Sequence, residues 1–237
     1  MIAALALLAA AAAGQTVADA ERAFAAEAQA SGQWPAFNAF AAPDAILYAP
    51  GPTKAHDVIA RAPAHSAALS WRPARTITSC DDTLGYSTGP WTRSDGKWGS
   101  YGSIWRRGAD GWKWIYDGGH DGGAPAPASA VEESRAACPA PIGAVGELHE
   151  TVPGVPVPVA QLKGGARSDL VELSDGPEPL AMHLGPFQAE GASVDRTLRW
   201  RINPIVGGAT GAHLLRVWAW DGRRYRLAVF DVTGAGR

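Results

Sequence analysis

Residues 70–117 read "SWRPARTITSCDDTLGYSTGPWTRSDGKWGSYGSIWRRGADGWKWIYD", and this stretch decides the fold class. Aromatic-rich extended runs alternate with turns, and Asp95-Gly96 and Asp110-Gly111 each sit between two such runs, a strong short-range hairpin signal. Strands are expected near 67–79, 83–92, 97–107 and 111–118. A period of two puts Leu84, Tyr86 and Thr88 on one face and Gly85, Ser87 and Gly89 on the other. It also groups Tyr101, Ser103 and Trp105 opposite Trp98, Ser100 and Ile104. Which face is concave does not follow from the alternation. The block implies a curved antiparallel sheet.

Upstream, Val17, Ala20, Phe24, Ala25 and Ala28 recur at helical spacing, which predicts a helix over 17–29 with Asp19, Glu21, Arg22 and Glu27 on its other faces. A second helix is expected over 34–41, where Pro35 fits the first turn and Trp34, Phe37 and Phe40 form a stripe. A short strand over 45–48, stopped by Pro50, Gly51 and Pro52, and a helix over 54–61 follow. Helices laid across a curved sheet make an α+β cone around a pocket, an architecture that serves many unrelated activities.

The flanking segments set the organisation. Residues 1–15 carry an apolar run over 2–13, the length of a signal-peptide core and too short to span a bilayer; they read as a leader directing the chain to the periplasm or outside the cell. The alternative is one long Ala-rich helix continuing to Gln29. The α+β domain is expected over 17–120, a Pro/Gly/Ala-rich strap over 121–165, and a small all-β unit over 166–237 with a hairpin at Asp221-Gly222. Residues 104–119 and 217–234 echo one another, each running strand, Asp-Gly turn, aromatic strand; shared hairpin chemistry accounts for that without duplication.

A net charge of -2 gives no field to attract phosphate backbones, so nucleic acid is not an expected partner. Cys80 and Cys138 are compatible with one disulfide closing a loop of about 58 residues, worth about 4 kcal/mol. Two free thiols, with Cys80 as a small buried apolar group, fit the residues equally well. Ten tryptophans are many for this length. Either they line an aromatic cavity, or both faces of the sheet are buried, one by helices and the other by a second subunit or by the C-terminal strands. Trp112, beside a turn, is the one expected to be exposed.

The quoted block, with its "LGYSTGPW", "YGSIWRR" and "DGWKWIYD" strands, resembles the nuclear transport factor 2-like superfamily, closest to SnoaL- and ketosteroid-isomerase-like domains of unknown function. The resemblance covers about residues 17–120. Tyr86 and Thr88 match one family strand, Trp105 and Arg106 the next, and Trp114 and Asp117 the last. It implies a cystatin-like cone whose cavity takes a small apolar molecule, with relatives that include isomerases and dehydratases.

Pocket residues expected on this basis are Phe37, Tyr48, Trp71, Tyr86, Tyr101 and Trp105. Acid-base chemistry in such a cone needs a carboxylate against an apolar wall, because burial moves its pKa toward neutrality. Asp117, Asp44 and His56 are the candidates. Their plain alternatives are a strand-terminal turn residue for Asp117 and a solvated helix surface for His56. The segment "DGGHDGG" over 117–123 sets one His between carboxylates, but its glycines fix no ligand geometry, so no metal is expected. No cofactor motif occurs. The first functional expectation is therefore binding of a small apolar ligand without an assembled catalytic set. General acid-base isomerisation or dehydration is the second, and homodimerisation through the open sheet face the third.

Overall fold

The computed structural model describes residues 14–48, 51–63, 69–122, 130–140, 145–148, 156–158, 179–181 and 184–233. Residues 1–13 of the expected leader and most of the strap lie outside them. Helix α1 (Val17–Ser31) starts at a capping box: Asp19 N donates to Thr16 Oγ1 at 3.2 Å while Thr16 N donates to the Asp19 carboxylate at 3.1 Å. Gly32, at φ +99°, turns the chain directly into α2 (Gln33–Phe40). Strand β1 (Ala41–Tyr48) follows and is longer than the expected 45–48; then come β2 (Pro52–Lys54) and the short α3 (Ala55–Ile59).

The expected strand 67–79 is two pieces, β3 (Ser70–Trp71) and β4 (Arg75–Thr78). Pro73 has no N–H to give to a ladder, so the chain steps over the neighbouring strand at that point. The step is close, since a Cβ on Gly89 would lie 2.0 Å from the Arg72 carbonyl oxygen. Strands β5 (Leu84–Thr92), β6 (Trp98–Gly108) and β7 (Gly111–Asp121) complete the meander. The sheet is mixed, in the order β2-β1-β7-β6-β5-β4-β8, with β1 parallel to β7 and β8 (Glu132–Arg135) parallel to β4. Strand β8 falls in the stretch expected to be strap. It is tied down a few residues later by the Cys80–Cys138 disulfide, whose Cα atoms are 5.1 Å apart. The protein is thus α+β with a multi-strand mixed sheet and few helices.

A two-strand ribbon, β9 (Pro156–Pro158) with β10 (Pro179–Ala181), precedes a second, antiparallel sheet. This comprises β11 (Ala189–Ala192), β12 (Leu198–Pro204), β13 (His213–Trp220) and β14 (Tyr225–Thr233), in that order. One core joins the layers: Phe24 and Phe37 on the helices, Trp105 and Trp114 beneath them, Ile104 and Tyr116 on the other face, and Trp200, Ile202, Leu215 and Val229 across from those. The tryptophan surplus follows from that sandwich, because the first sheet is covered by helices on one face and by the chain's own second sheet on the other. Trp112 is correspondingly 4 % exposed, contrary to expectation. Its Nε1 donates to the Gln15 carbonyl at 2.9 Å and the Arg107 guanidinium stacks on its ring. Among the described residues, no helix is long and apolar enough to cross a membrane.

Candidate functional site

On the helix side of the first sheet, strand alternation points Ser87, Tyr101, Ser103, Trp105 and Asp117 toward α1 and α2. The space between holds a cavity of about 300 Å³ walled by Phe24, Trp34, Phe37, Trp71, Tyr101 and Asp117, with Leu47, Tyr48, Gly118 and Gly119 toward one end. Asp117 is half-buried, and what surface it shows faces this cavity. Its neighbour across the ladder, Ser103, donates Oγ–H to Asp117 Oδ2 at 2.6 Å. Burial pushes the Asp117 carboxyl from 3.8 up to about 7, and the Ser103 bond recovers only part of that.

Behind the cavity wall lies a second carboxyl. Glu21 is 0 % exposed in the middle of α1, accepting from Trp71 Nε1 at 2.7 Å on one oxygen and from Trp105 Nε1 at 2.9 Å on the other. Burial first, and then the charge of Asp117, push Glu21 up to about 8. The charge of Asp117 thus disfavours a second charge on Glu21. Tyr101, whose hydroxyl lies 3.3 Å from Ser87 Oγ, is held well above the ordinary phenol value by burial and by Glu21, so it remains a proton-bearing donor. Trp34 Nε1 is buried and has no hydrogen-bond partner among the described residues. The arrangement is an apolar box with one carboxyl that burial moves toward neutrality and the hydroxyl-bearing Tyr101 on its wall.

Of the expected pocket residues, Phe37, Tyr48, Trp71 and Tyr101 stand on this wall. Trp105 stands one layer back, fully buried, as a donor to Glu21. Tyr86 is a correction. It alternates with Ser87 on β5 and so points to the opposite face, where burial and the nearby Asp231 carboxylate raise its pKa. Asp44 and His56 are not brought to the cavity. Asp44 is exposed on β1 and forks onto Arg106 at 2.5 and 3.0 Å, a bond that lowers its pKa. The His56 ring is pinned between Asn38 Oδ1 at 2.9 Å and the Ala42 carbonyl at 3.1 Å.

His120 turns to the space between the sheets, 4.0 Å from Asp231. Among the described residues, no group of three or more His, Cys, Asp or Glu side chains is gathered as a metal site. Glu21 is the residue that sequence reasoning assigned to the wrong face. It follows Val17 by four and precedes Phe24 by three, which sets it on the apolar stripe. Comparison of the chain with protein-family models, with curated proteins and with solved structures finds no match.

Proposed function

We propose that the chain carries a cone of the nuclear transport factor 2-like type, and that its cavity receives a small, uncharged, mainly apolar carbonyl compound and moves a proton on it. The supporting observation is Asp117: a carboxyl on the wall of an aromatic cavity, oriented by Ser103 and tuned by burial to about 7, where a general base works best near neutral pH. An anionic ligand is disfavoured, because the cavity wall carries a carboxyl and, among the described residues, no Lys or Arg.

In this reading Asp117 takes a proton from the carbon next to the carbonyl. The developing oxyanion is met by a donor on the wall residue Tyr101, whose hydroxyl keeps its proton. An ionised Asp117 raises the pKa of Glu21, which disfavours a second charge beside the box. Returning the proton from Asp117 to the γ-carbon of a β,γ-unsaturated ketone completes an isomerisation; giving it to a β-hydroxyl, which leaves as water, completes a dehydration. Carriage of an apolar molecule without chemistry is the competing reading, and one experiment separates them.

Neutral cyclic ketones are incubated with the protein in D₂O, with binding followed by tryptophan fluorescence and α-proton exchange by NMR. Exchange that rises through pH 7 and falls by roughly 10²- to 10⁴-fold in Asp117→Asn, with binding retained, is the expected outcome. Binding without exchange assigns the cavity to carriage. Exchange undiminished in Asp117→Asn removes Asp117 from the chemistry.

A further inference from the structure

The turn between β4 and β5 and the turn between β11 and β12 carry the same residues: Ser79, Asp81, Thr83 and Leu84 in one, Ser193, Asp195, Thr197 and Leu198 in the other. They are also folded alike. Ser79 Oγ donates to Asp81 Oδ1 at 2.6 Å, as Ser193 Oγ does to Asp195 Oδ1 at 2.6 Å. Thr83 N and Oγ1 donate to Asp81 Oδ1 at 3.0 and 2.9 Å, and Thr197 N and Oγ1 donate to Asp195 Oδ1 at 3.0 and 2.9 Å. The residue between takes positive φ in both, 58° at Asp82 and 63° at Arg196.

The two turns then bond each other reciprocally. Asp81 N donates to Asp195 Oδ2 at 2.9 Å and Asp195 N donates to Asp81 Oδ2 at 2.7 Å. Cys80 N donates to Thr197 Oγ1 at 2.8 Å and Val194 N donates to Thr83 Oγ1 at 2.9 Å.

The likeness runs on through the strands. Ser79 and Ser193 lie 114 positions apart, and the flanking ladder pairs Thr78 with Gly85 and Ala192 with Arg199 are the same pair at that offset. Each unit is a four-strand meander. Each has one extra residue at the same place in its fourth strand, Ile115 in β7 opposite Ile104–Trp105 and Ala228 in β14 opposite Val217–Trp218. Shared Asp-Gly turn chemistry explains two similar hairpins. It does not explain a matching bulge, a matching register and a contact in which each partner does to the other what is done to it, which is the mark of a two-fold interface.

We infer that residues 75–121 and 189–233 are two copies of one four-strand unit, and that the second copy serves the first as a built-in partner subunit. The sheet face expected to take a second chain is taken by β11–β14 of the same chain. Strands β6 and β13 correspond at an offset of 113, because Leu84 pairs with Arg106 as Leu198 does with Ala219; the Ser103–Asp117 pair therefore matches Arg216–Phe230, and the acid site is not repeated among the described residues of the second copy. The second copy nonetheless touches that site's wall: the Tyr48 ring stacks on His213 with centroids 3.8 Å apart, and the Tyr48 hydroxyl donates at 2.5 Å to Oε1 of Gln188, the residue just before the copy begins. This holds whatever the cavity binds.

The test is the equivalence of the two turns in the full chain. Urea midpoints are measured for Asp81→Asn, Asp195→Asn and the double variant, and for the milder pair Thr83→Val and Thr197→Val in case the first pair fails to fold. In one cooperative transition, the two members of each pair are expected to lower the midpoint equally, to within about twofold. The double variant is expected to fall by less than the two singles together, because both open the same clasp. Members of a pair that differ by more than about twofold, full additivity, or unfolding in two separate steps overturns the inference.

Discussion

Replacing Asp117 by Asn should change how the protein's stability depends on pH, and both the sign and the size of the change follow from the cavity. The Asp117 carboxyl has its folded value raised, from 3.8 to about 7. Below 3.8 it is protonated in both the folded and the unfolded chain and contributes nothing to the pH dependence. Between 3.8 and about 7 the unfolded chain has released the proton and the folded chain still holds it, so stability falls with rising pH by about 1.4 kcal/mol per pH unit. Above about 7 the loss levels off. Its full extent is on the order of 4 kcal/mol, an upper figure because solvent entering the cavity screens a carboxylate that faces it. Asn has no proton to hold, so Asp117→Asn should remove one proton's worth of slope between pH 4.5 and 7 and be more stable than the parent above pH 7.

Urea titrations followed by tryptophan fluorescence at half-unit steps from pH 4.5 to 8.5 measure this directly. Asp44→Asn is the internal control: that carboxyl is exposed and its pKa is lowered by Arg106, so the slope above pH 5 should not move. A parent and an Asp117→Asn variant with parallel stability profiles would show that Asp117 is not a proton-holding group in the folded state, and the acid-base reading would go with it.

Three further outcomes are expected. Glu21→Ala leaves the Trp71 and Trp105 indole N–H groups buried without an acceptor and should cost on the order of 4 kcal/mol, against roughly half for Glu21→Gln, whose amide oxygen still accepts one of them; equal losses would mean the indoles do not depend on Glu21. Reduction of the Cys80–Cys138 disulfide, which closes a loop of 58 residues, should lower stability by about 4 kcal/mol in the chain-entropy account, read as a drop in Tm with dithiothreitol that the Cys→Ser double variant reproduces without it. Gly102→Ala places a Cβ 2.8 Å from Asp231 Oδ2 and 3.2 Å from the Tyr86 hydroxyl between the sheets and should cost about 1–3 kcal/mol, whereas Gly108→Ala, with nothing within 4 Å, should be close to neutral.

What could be read from the chain beforehand divides along physical lines. Local chemistry was legible. The Asp110-Gly111 and Asp221-Gly222 turns sit between paired strands, and the alternation that groups Tyr101, Ser103 and Trp105 holds through β6. Contacts distant in sequence were not. Glu21 reads as a solvated helix residue until its two partners, Trp71 and Trp105, are folded against it 50 and 84 positions away. The face of Tyr86 could not be assigned because both faces of the sheet are apolar, which removes the inside-outside contrast that normally fixes a strand's orientation. Strand β8 was hidden for another reason: Glu132–Arg135 is all polar and exposed, and only its edge pairing with β4 makes it a strand. For the site itself, Asp117 was among three candidates, while Ser103, which orients it, and Glu21, whose pKa it raises, were absent from them.

A protein that meets an identical partner across a two-fold axis must accept every substitution twice, once on each side of the contact. Joining two such units in one chain lifts that constraint. Arg216 and Phe230 stand where Ser103 and Asp117 stand in the other unit, and neither change touches the acid site. The reciprocal bonds between Asp81 and Asp195 are symmetrical, while the Ser103–Asp117 and Arg216–Phe230 pairs are not. The second sheet is in that sense free to acquire a ligand, a docking surface or a contact of its own at no cost to the cavity, and differences among relatives of this chain should gather on its outward side chains and spare the turn residues Ser193, Asp195 and Thr197.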